Sequence, residues 1–448
     1  MSTVHFVFPT MSLSSIRVSL YGVGAPATPT LLYAVAKSVN FGNYDNGRCW
    51  DTSIHSESKM LENVKPGDLV CATATVSGYK TCLSMLKQAK NLGAIVAIGG
   101  PWVTARYREI YAHHGWIDYI VHGEGEAVLR KILFGTARKG LLRGDACKLI
   151  SLTAPDFSGW SLSDLVLFNQ NYHTMIESGE YGRAPAHIPA FLFYQSTRGC
   201  IQRPRCAFCG VRLGERLNWR TADQYHADIE AIRVQFAPIN ERIHIFDTSD
   251  SFASVLHRFD GAYEKHEGVT LTVFSRVDEV NEATADAMRA LGVNKVSLGI
   301  ECGSDSALLQ MGKSTTASQN EYAVRLLSER GVSVYMNFMY GLPGETRDSL
   351  QRTVDHCLRL GSYGNVYRAK GRITTPLPGS RWFRELAKAR PDIDGGADWI
   401  APRDLGLAWL KERTHVSLDD IQEANMVFVS SAKKLGISYS AETAVWFG

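Results

Sequence analysis

Several features are missing from this 448-residue sequence, and each absence removes a class of protein. No run reaches eighteen continuous apolar residues, so no membrane-spanning helix and no membrane partner are expected. The start, Met1-Ser2-Thr3-Val4-His5, lacks the basic-then-apolar layout of a signal peptide, so the expected compartment is the cytoplasm. Neither sign of charge dominates. A formal net charge of +3 gives no case for a nucleic-acid partner. Cysteine is sparse, nine in all, which is no disulfide framework for so long a chain. A dinucleotide fingerprint is absent too. Gly123 and Gly125 lack the wider spacing, and Glu124 and Glu126 would repel a pyrophosphate, leaving a tight turn that opens a helix.

What remains is an ordinary globular composition, 45% hydrophobic and 21% charged, long enough for two or three domains. Within it one stretch stands apart. Cys200, Cys206 and Cys209 lie within ten residues, and Gly199 and Pro204 mark the segment as a loop. Phe191–Tyr194 just before it reads as a strand, so the thiols sit at a strand end. Three soft thiolates suit an iron–sulfur cluster or a thiophilic metal. A zinc site is the alternative, but it wants four ligands in paired spacing, and no Cys-x2-Cys or His-x3-His pair follows. Cys71, Cys82, Cys302 and Cys357 read as single buried thiols.

The chain divides into four parts. Residues 1–140 alternate strand-like and helix-like segments, with strands expected at Ile16–Tyr21, Asp68–Ala74, Ala94–Ile98 and Asp118–Val121. Near-continuous apolar strands in this rhythm imply a doubly wound, Rossmann-like parallel sheet that binds ligands at its strand C-termini. Residues 141–190 read as a linker with one short helix, Leu162–Asn169. Residues 191–390 alternate again. Their strands are expected at Phe191–Tyr194, Arg242–Phe246, Val269–Phe274, Lys295–Ile300, Val332–Met339 and Arg372–Thr375. Six such units make a (β/α)6 partial TIM barrel, and every polar cluster falls at the mouth the cysteines face. The fold class is therefore α/β. Residues 391–448, with Trp399, Trp409 and Trp446, read as a small C-terminal extension covering the barrel or its opening.

These motifs resemble the radical S-adenosylmethionine (SAM) superfamily, and more closely its group with an N-terminal cobalamin-binding-like domain. The usual cluster motif there is Cys-x3-Cys-x2-Cys with an aromatic residue before the last cysteine. Phe208 fills that place, but the first gap here is five residues. Gly299–Ser304 looks like the fourth-strand SAM motif, Tyr340–Thr346 like the fifth-strand signature, and Pro376–Ser380 like the sixth-strand segment. The resemblance implies a [4Fe–4S] cluster on Cys200, Cys206 and Cys209, with SAM beside it. Glu301 and Arg276, with Ser275 next to it, would contact SAM's polar groups, and Asp247 or Asp250 its ammonium. Phe208 and Leu377 would border the adenine. Other readings stand beside these: a helix N-terminal carboxylate for Glu301, a salt bridge for Arg276 and Asp278, a plain turn for Tyr340–Thr346.

The group's cobalt-ligating Asp-x-His-x-x-Gly motif is absent. The first domain is thus expected either to bind cobalamin without that ligand or to keep the fold without the cofactor. The expected activity is methyl transfer to a small molecule or peptide, with an electron donor such as flavodoxin or ferredoxin. One alternative is transfer of a 3-amino-3-carboxypropyl group from SAM, with arsenite among the acceptors. The other is a zinc-binding protein that is not an enzyme.

Overall fold

The structure, a computed structural model, describes residues 2–9, 23–178, 186–210, 217–249, 251–393 and 401–439. Two parallel sheets organise it. The first has the order β2-β1-β3-β4-β5-β6, built from β1 (Thr3–Phe8), β2 (Asn46–Asp51), β3 (Leu69–Thr73), β4 (Ile95–Gly99), β5 (Tyr119–Gly123) and β6 (Gly140–Gly144). Side chains alternate between its faces, as a strand's period of two requires. Val4, Phe6 and Leu69 join one apolar cluster with helices Ala27–Lys37 and Glu126–Leu133. Val7, Val70 and Ala72 join another with helices Tyr79–Asn91 and Pro101–His113. Covered on both faces, the sheet is doubly wound, as expected.

Several boundaries differ from the sequence reading. β1 and β2 were not foreseen, and the expected strand at Ile16–Tyr21 lies outside the described residues. β6 carries the first sheet beyond residue 140 into the expected linker. There, too, the helix runs Leu162–Glu177, longer than Leu162–Asn169. A capping box between Ser161 and Asp164 starts it.

The second sheet has the order β15-β14-β13-β12-β11-β10-β7, all parallel. Its strands are β7 (Ala190–Tyr194), β10 (Ile243–Asp247), β11 (Val269–Arg276), β12 (Val293–Glu301), β13 (Ser333–Tyr340), β14 (Val366–Ile373) and β15 (Ser438–Tyr439). A small antiparallel pair, β8 (Thr197–Arg198) with β9 (Asn218–Trp219), stands just after β7. The six-stranded partial barrel is present, with its last full strand at 366–373 rather than 372–375. The described part of the extension contributes to the barrel itself. It adds β15 at the sheet edge, and helix Leu418–Lys434 packs on helix Arg347–Gly361. Trp409 is buried, while Trp399 and Trp446 lie outside the described residues. One continuous apolar core runs from a face of the first sheet through Phe157, Trp160 and Phe168 to the outer side of the barrel strands.

Candidate active site

The cysteine loop leaves β8 through Gly199, whose φ of +81° lies in the left-handed region that glycine enters without steric cost. Backbone bonds then fix its course. The Ala207 N–H donates to Met311 O at 2.7 Å, and Ala207 O accepts from Trp382 N at 3.0 Å. The Gln202 amide donates to Gly312 O (2.8 Å) and Ser314 Oγ (3.1 Å). Thus the loop is tied both to the segment after β12 and to helix Arg381–Ala389. Phe208 is half-buried against Trp382, with ring centroids 5.9 Å apart, and Trp382 packs on Trp409 at 4.9 Å. Trp409 Nε1 donates to Gly341 O at 2.8 Å, which holds the turn after β13 to the same wall.

Cys206 and Cys209 line one cavity with Arg381 and Arg384, and Cys200 Sγ accepts from Gln202 N at 3.4 Å. Burial pushes the Cys206 thiol up, while the charges of Lys313 and Arg276 favour its thiolate. Burial works to lower the pKa of Arg276, but the hydrogen bond to Asp278 and the nearby thiols of Cys200 and Cys206 outweigh it. Its charge is held more firmly than usual. Arg276 also donates to Lys313 O at 2.8 Å. No three His, Cys, Asp or Glu groups among the described residues gather around a single ion.

Glu301 ends β12 at φ +62°, beside a register shift between Gly299 and Glu301. A left-handed φ costs a non-glycine residue roughly 1–2 kcal/mol, and such strain collects at functional positions. Its carboxylate accepts from Lys313 Nζ at 2.5 Å, and the same ammonium reaches Gly299 O at 2.5 Å. Both residues are largely buried.

Not every expected ligand faces this centre. Asp247 is fully buried and accepts from the backbone and hydroxyl groups of Ser196 and Ser249, so its oxygens tie β7 to β10. Ser275 Oγ donates to Glu279 Oε2 at 3.2 Å. Asp250 lies outside the described residues. Leu377 is half-buried beside the loop's exit, where a Cβ on Gly210 would lie 3.5 Å from its own. The structure therefore gathers Cys200, Cys206, Arg276 and Glu301, with Phe208 and Leu377 at the border.

Two further residues were not read from the sequence. Lys313 is one. Arg198, two residues before Cys200, is the other: it reaches across to Glu124 Oε2 (3.3 Å) and Glu126 Oε1 (2.5 Å), just beyond β5. The guanidinium is buried, and Glu124 also accepts from Cys147 N at 2.5 Å. Glu124 Oε1 and Glu126 Oε2 are buried without a hydrogen-bond partner among the described residues. Beside them, Thr73, Gly99 and Gly123 from the first sheet's strand ends and Leu129 from helix Glu126–Leu133 meet Gln195 and Arg198 from the barrel around one cavity. Its floor depends on Gly100, at φ +101°, where a Cβ would stand 2.8 Å from Ala74 O. The sheet order reverses between β1 and β3, and ligands of doubly wound sheets bind beside such a switch point.

The comparisons with known proteins agree with this layout. The radical SAM superfamily pattern matches residues 194–357. An uncharacterized methyltransferase of Pyrococcus horikoshii is 25% identical over 395 residues, 84% of this chain and 81% of the relative. The anaerobic magnesium-protoporphyrin IX monomethyl ester cyclase of Rubrivivax gelatinosus is 25% identical over 358 residues; 75% of this chain matches 61% of the cyclase. Among solved structures, the radical SAM methyltransferase TsrM of Kitasatospora setae, with cobalamin and a [4Fe–4S] cluster bound, superimposes with a TM-score of 0.63. It is 16% identical, over 87% of this chain and 78% of that one. The cobalamin-dependent SAM radical enzyme OxsB gives 0.62 at 15% identity, over 97% of this chain and 61% of that one. Residues 194–357 thus match the radical SAM superfamily, and the chain as a whole shares its fold with TsrM and OxsB.

Proposed function

We propose that this enzyme is a cobalamin-dependent methyltransferase. One observation carries the reading: the cavity at the first sheet's strand ends shares Arg198 with the loop that presents Cys200. The pocket in the first layer and the loop that carries the thiol triplet are therefore joined through one residue. The residues fit the groups implied. Small and apolar strand ends suit the nucleotide tail of a corrinoid, and the orphaned carboxylate oxygens of Glu124 and Glu126 can accept from its amides. Three thiols from one pinned loop suit a cluster with one iron left open. When bound, the cluster supplies an electron to SAM's sulfonium and the corrinoid supplies the transferable methyl group.

The chain's own residues do the rest. Cys200, Cys206 and Cys209 hold the cluster, and Arg276 and Lys313 offset the charge of the thiolates. Glu301, positioned by Lys313, accepts hydrogen bonds from SAM's polar groups. Phe208 and Leu377 flank the adenine, and the Trp382–Trp409 pair excludes water behind them. Outside the loop, exposed Arg203, Arg381 and Arg384 present positive charge to an acidic electron carrier such as flavodoxin or ferredoxin.

Anaerobic purification followed by a SAM cleavage assay tests this. The protein is expected to hold about four irons per chain and to show cobalamin absorbance. It is expected to yield S-adenosylhomocysteine and 5′-deoxyadenosine. Methylthioadenosine as the product would instead indicate 3-amino-3-carboxypropyl transfer. Colourless protein holding zinc would overturn both.

A further inference from the structure

The stretch that carries the three cysteines is clamped at its base. β8 ends at Arg198 just before it, β9 begins at Asn218 after it, and these two residues pair across the strands. The clamp is no part of the barrel sheet, and both of its sides reach toward the first layer. On one side, Arg198 Nε donates to Gln195 Oε1 at 2.8 Å, and its other N–H groups reach Glu124 and Glu126. On the other, Asn218 Nδ2 donates to Cys147 O, and Asn218 Oδ1 accepts from Leu149 N at 3.0 Å. Buried Arg220, two residues further on, donates to Leu149 O at 2.9 Å and Thr153 O at 2.8 Å, which holds that segment in place.

These bonds close a circuit. Glu124 Oε2 accepts from Arg198 and from the N–H of Cys147, the carbonyl of Cys147 accepts from Asn218, and Asn218 pairs with Arg198. Half of the circuit lines the first cavity: Arg198, Glu124, Glu126 and Gln195 form one wall of it, whereas Cys147 and Asn218 stand outside. The wall of that cavity and the clamp on the cysteine loop are thus a single hydrogen-bonded structure. Two carboxylates against one buried guanidinium leave the wall net negative, and hydrogen-bond donors on a ligand offset that charge.

We propose that this circuit makes the two sites cooperative. A ligand on the cavity wall fixes Arg198 and with it the base of the cysteine loop, and a cluster on the loop fixes the wall for the ligand. Whichever group binds second meets side chains already held, and so loses less freedom on binding. The effect is reciprocal, as any coupling between two binding equilibria must be. Asn218 is a positioning residue here, outside the cavity and absent from the cysteine triplet. The inference rests on reading the first cavity as the corrinoid site.

Equilibrium dialysis of cyanocobalamin against the full chain tests the proposal, with the cysteine loop either free of iron or loaded anaerobically with its cluster. The bound cyanide keeps free thiols off the cobalt. The loaded form is expected to bind about tenfold more tightly. Asn218→Ala removes both bonds of that side chain, whereas Asn218→Asp keeps the acceptor for Leu149 N and loses the donor to Cys147 O. In each variant the iron-free affinity is expected to stay within about twofold of the parent's, while the advantage of loading falls below about threefold. A variant that merely lost stability would lower the number of sites and leave the ratio of the two affinities unchanged. Equal affinity in the two parent forms, or an advantage unchanged in both variants, overturns the proposal and leaves the corrinoid reading standing. No binding by either form overturns both. Methylthioadenosine from SAM, beside an intact advantage of loading, supports the coupling and sinks only the methyl-transfer reading.

Discussion

Residue by residue, the centre separates into what neighbours in sequence supply and what distant chain supplies. The cysteine triplet stands out in the sequence because its signal is local: three thiols, a glycine and an aromatic residue inside about ten positions. Replacing Cys206 with Ala is expected to leave below about one iron per chain after anaerobic reconstitution. Cys302→Ala should keep its iron, since that thiol is buried and pushed up to about 12 by desolvation. A colorimetric iron assay on both variants decides. Lys313 was not legible. It lies in a loop with no motif, and its significance appears only when folding sets it 2.5 Å from Glu301, twelve positions earlier. Asp247 shows the converse. Its strand-end position reads as a ligand, but Ser196, fifty-one residues away, draws its carboxylate into a structural tie.

Among elements, apolar strands declared themselves and mixed ones did not. β3 and β4 are nearly continuous apolar runs, and β5 is centred on Ile120-Val121. β2, by contrast, begins with Asn46-Gly47 and ends with Asp51, turn formers by propensity, and becomes a strand only through its pairing with β1. β14 carries Arg368, Lys370 and Arg372, and the strand expected at Arg372–Thr375 caught only its end, because charge interrupts the apolar pattern before it. The turn after β13 was legible from Gly341, Pro343 and Gly344, and it makes a pH prediction. Glu345 is buried there, and desolvation raises its carboxyl to about 7, opposed by the N–H groups of Gly341 and Leu342. The native state therefore favours the protonated acid. Stability is highest below the unfolded value near 4.5 and is lost as pH rises through about 7, by about 3 kcal/mol for a shift of this size. Glu345→Gln should remove that dependence. Melting temperatures of the two proteins at pH 5 and pH 8 check it, and parallel slopes would contradict the assignment.

At the scale of the molecule, strand–helix alternation was enough to foresee two parallel α/β layers in order, because each connection in such a fold has one handedness and a short reach. How the layers meet was not foreseeable. Arg198 spans more than seventy residues to Glu124 and Glu126, charges that looked unrelated in the sequence. Removing one partner of a buried ion pair costs about 3–5 kcal/mol, since the carboxylates stay buried without compensation. Arg198→Met is thus expected to move the urea midpoint strongly downward, and adding Glu124→Gln and Glu126→Gln should recover most of the loss. A midpoint unmoved in the single variant would show the triad to be energetically idle. The shared apolar core carries a wider consequence. The first sheet, the 157–168 segment and the barrel's outer strands solvate one another, so neither layer has a complete surface of its own to present to water. The junction is therefore a poor place to graft a foreign first layer. A transplanted first layer would bring the wrong apolar relief and no counterpart for Arg198. A change on one side of the seam is therefore expected to need its answer on the other.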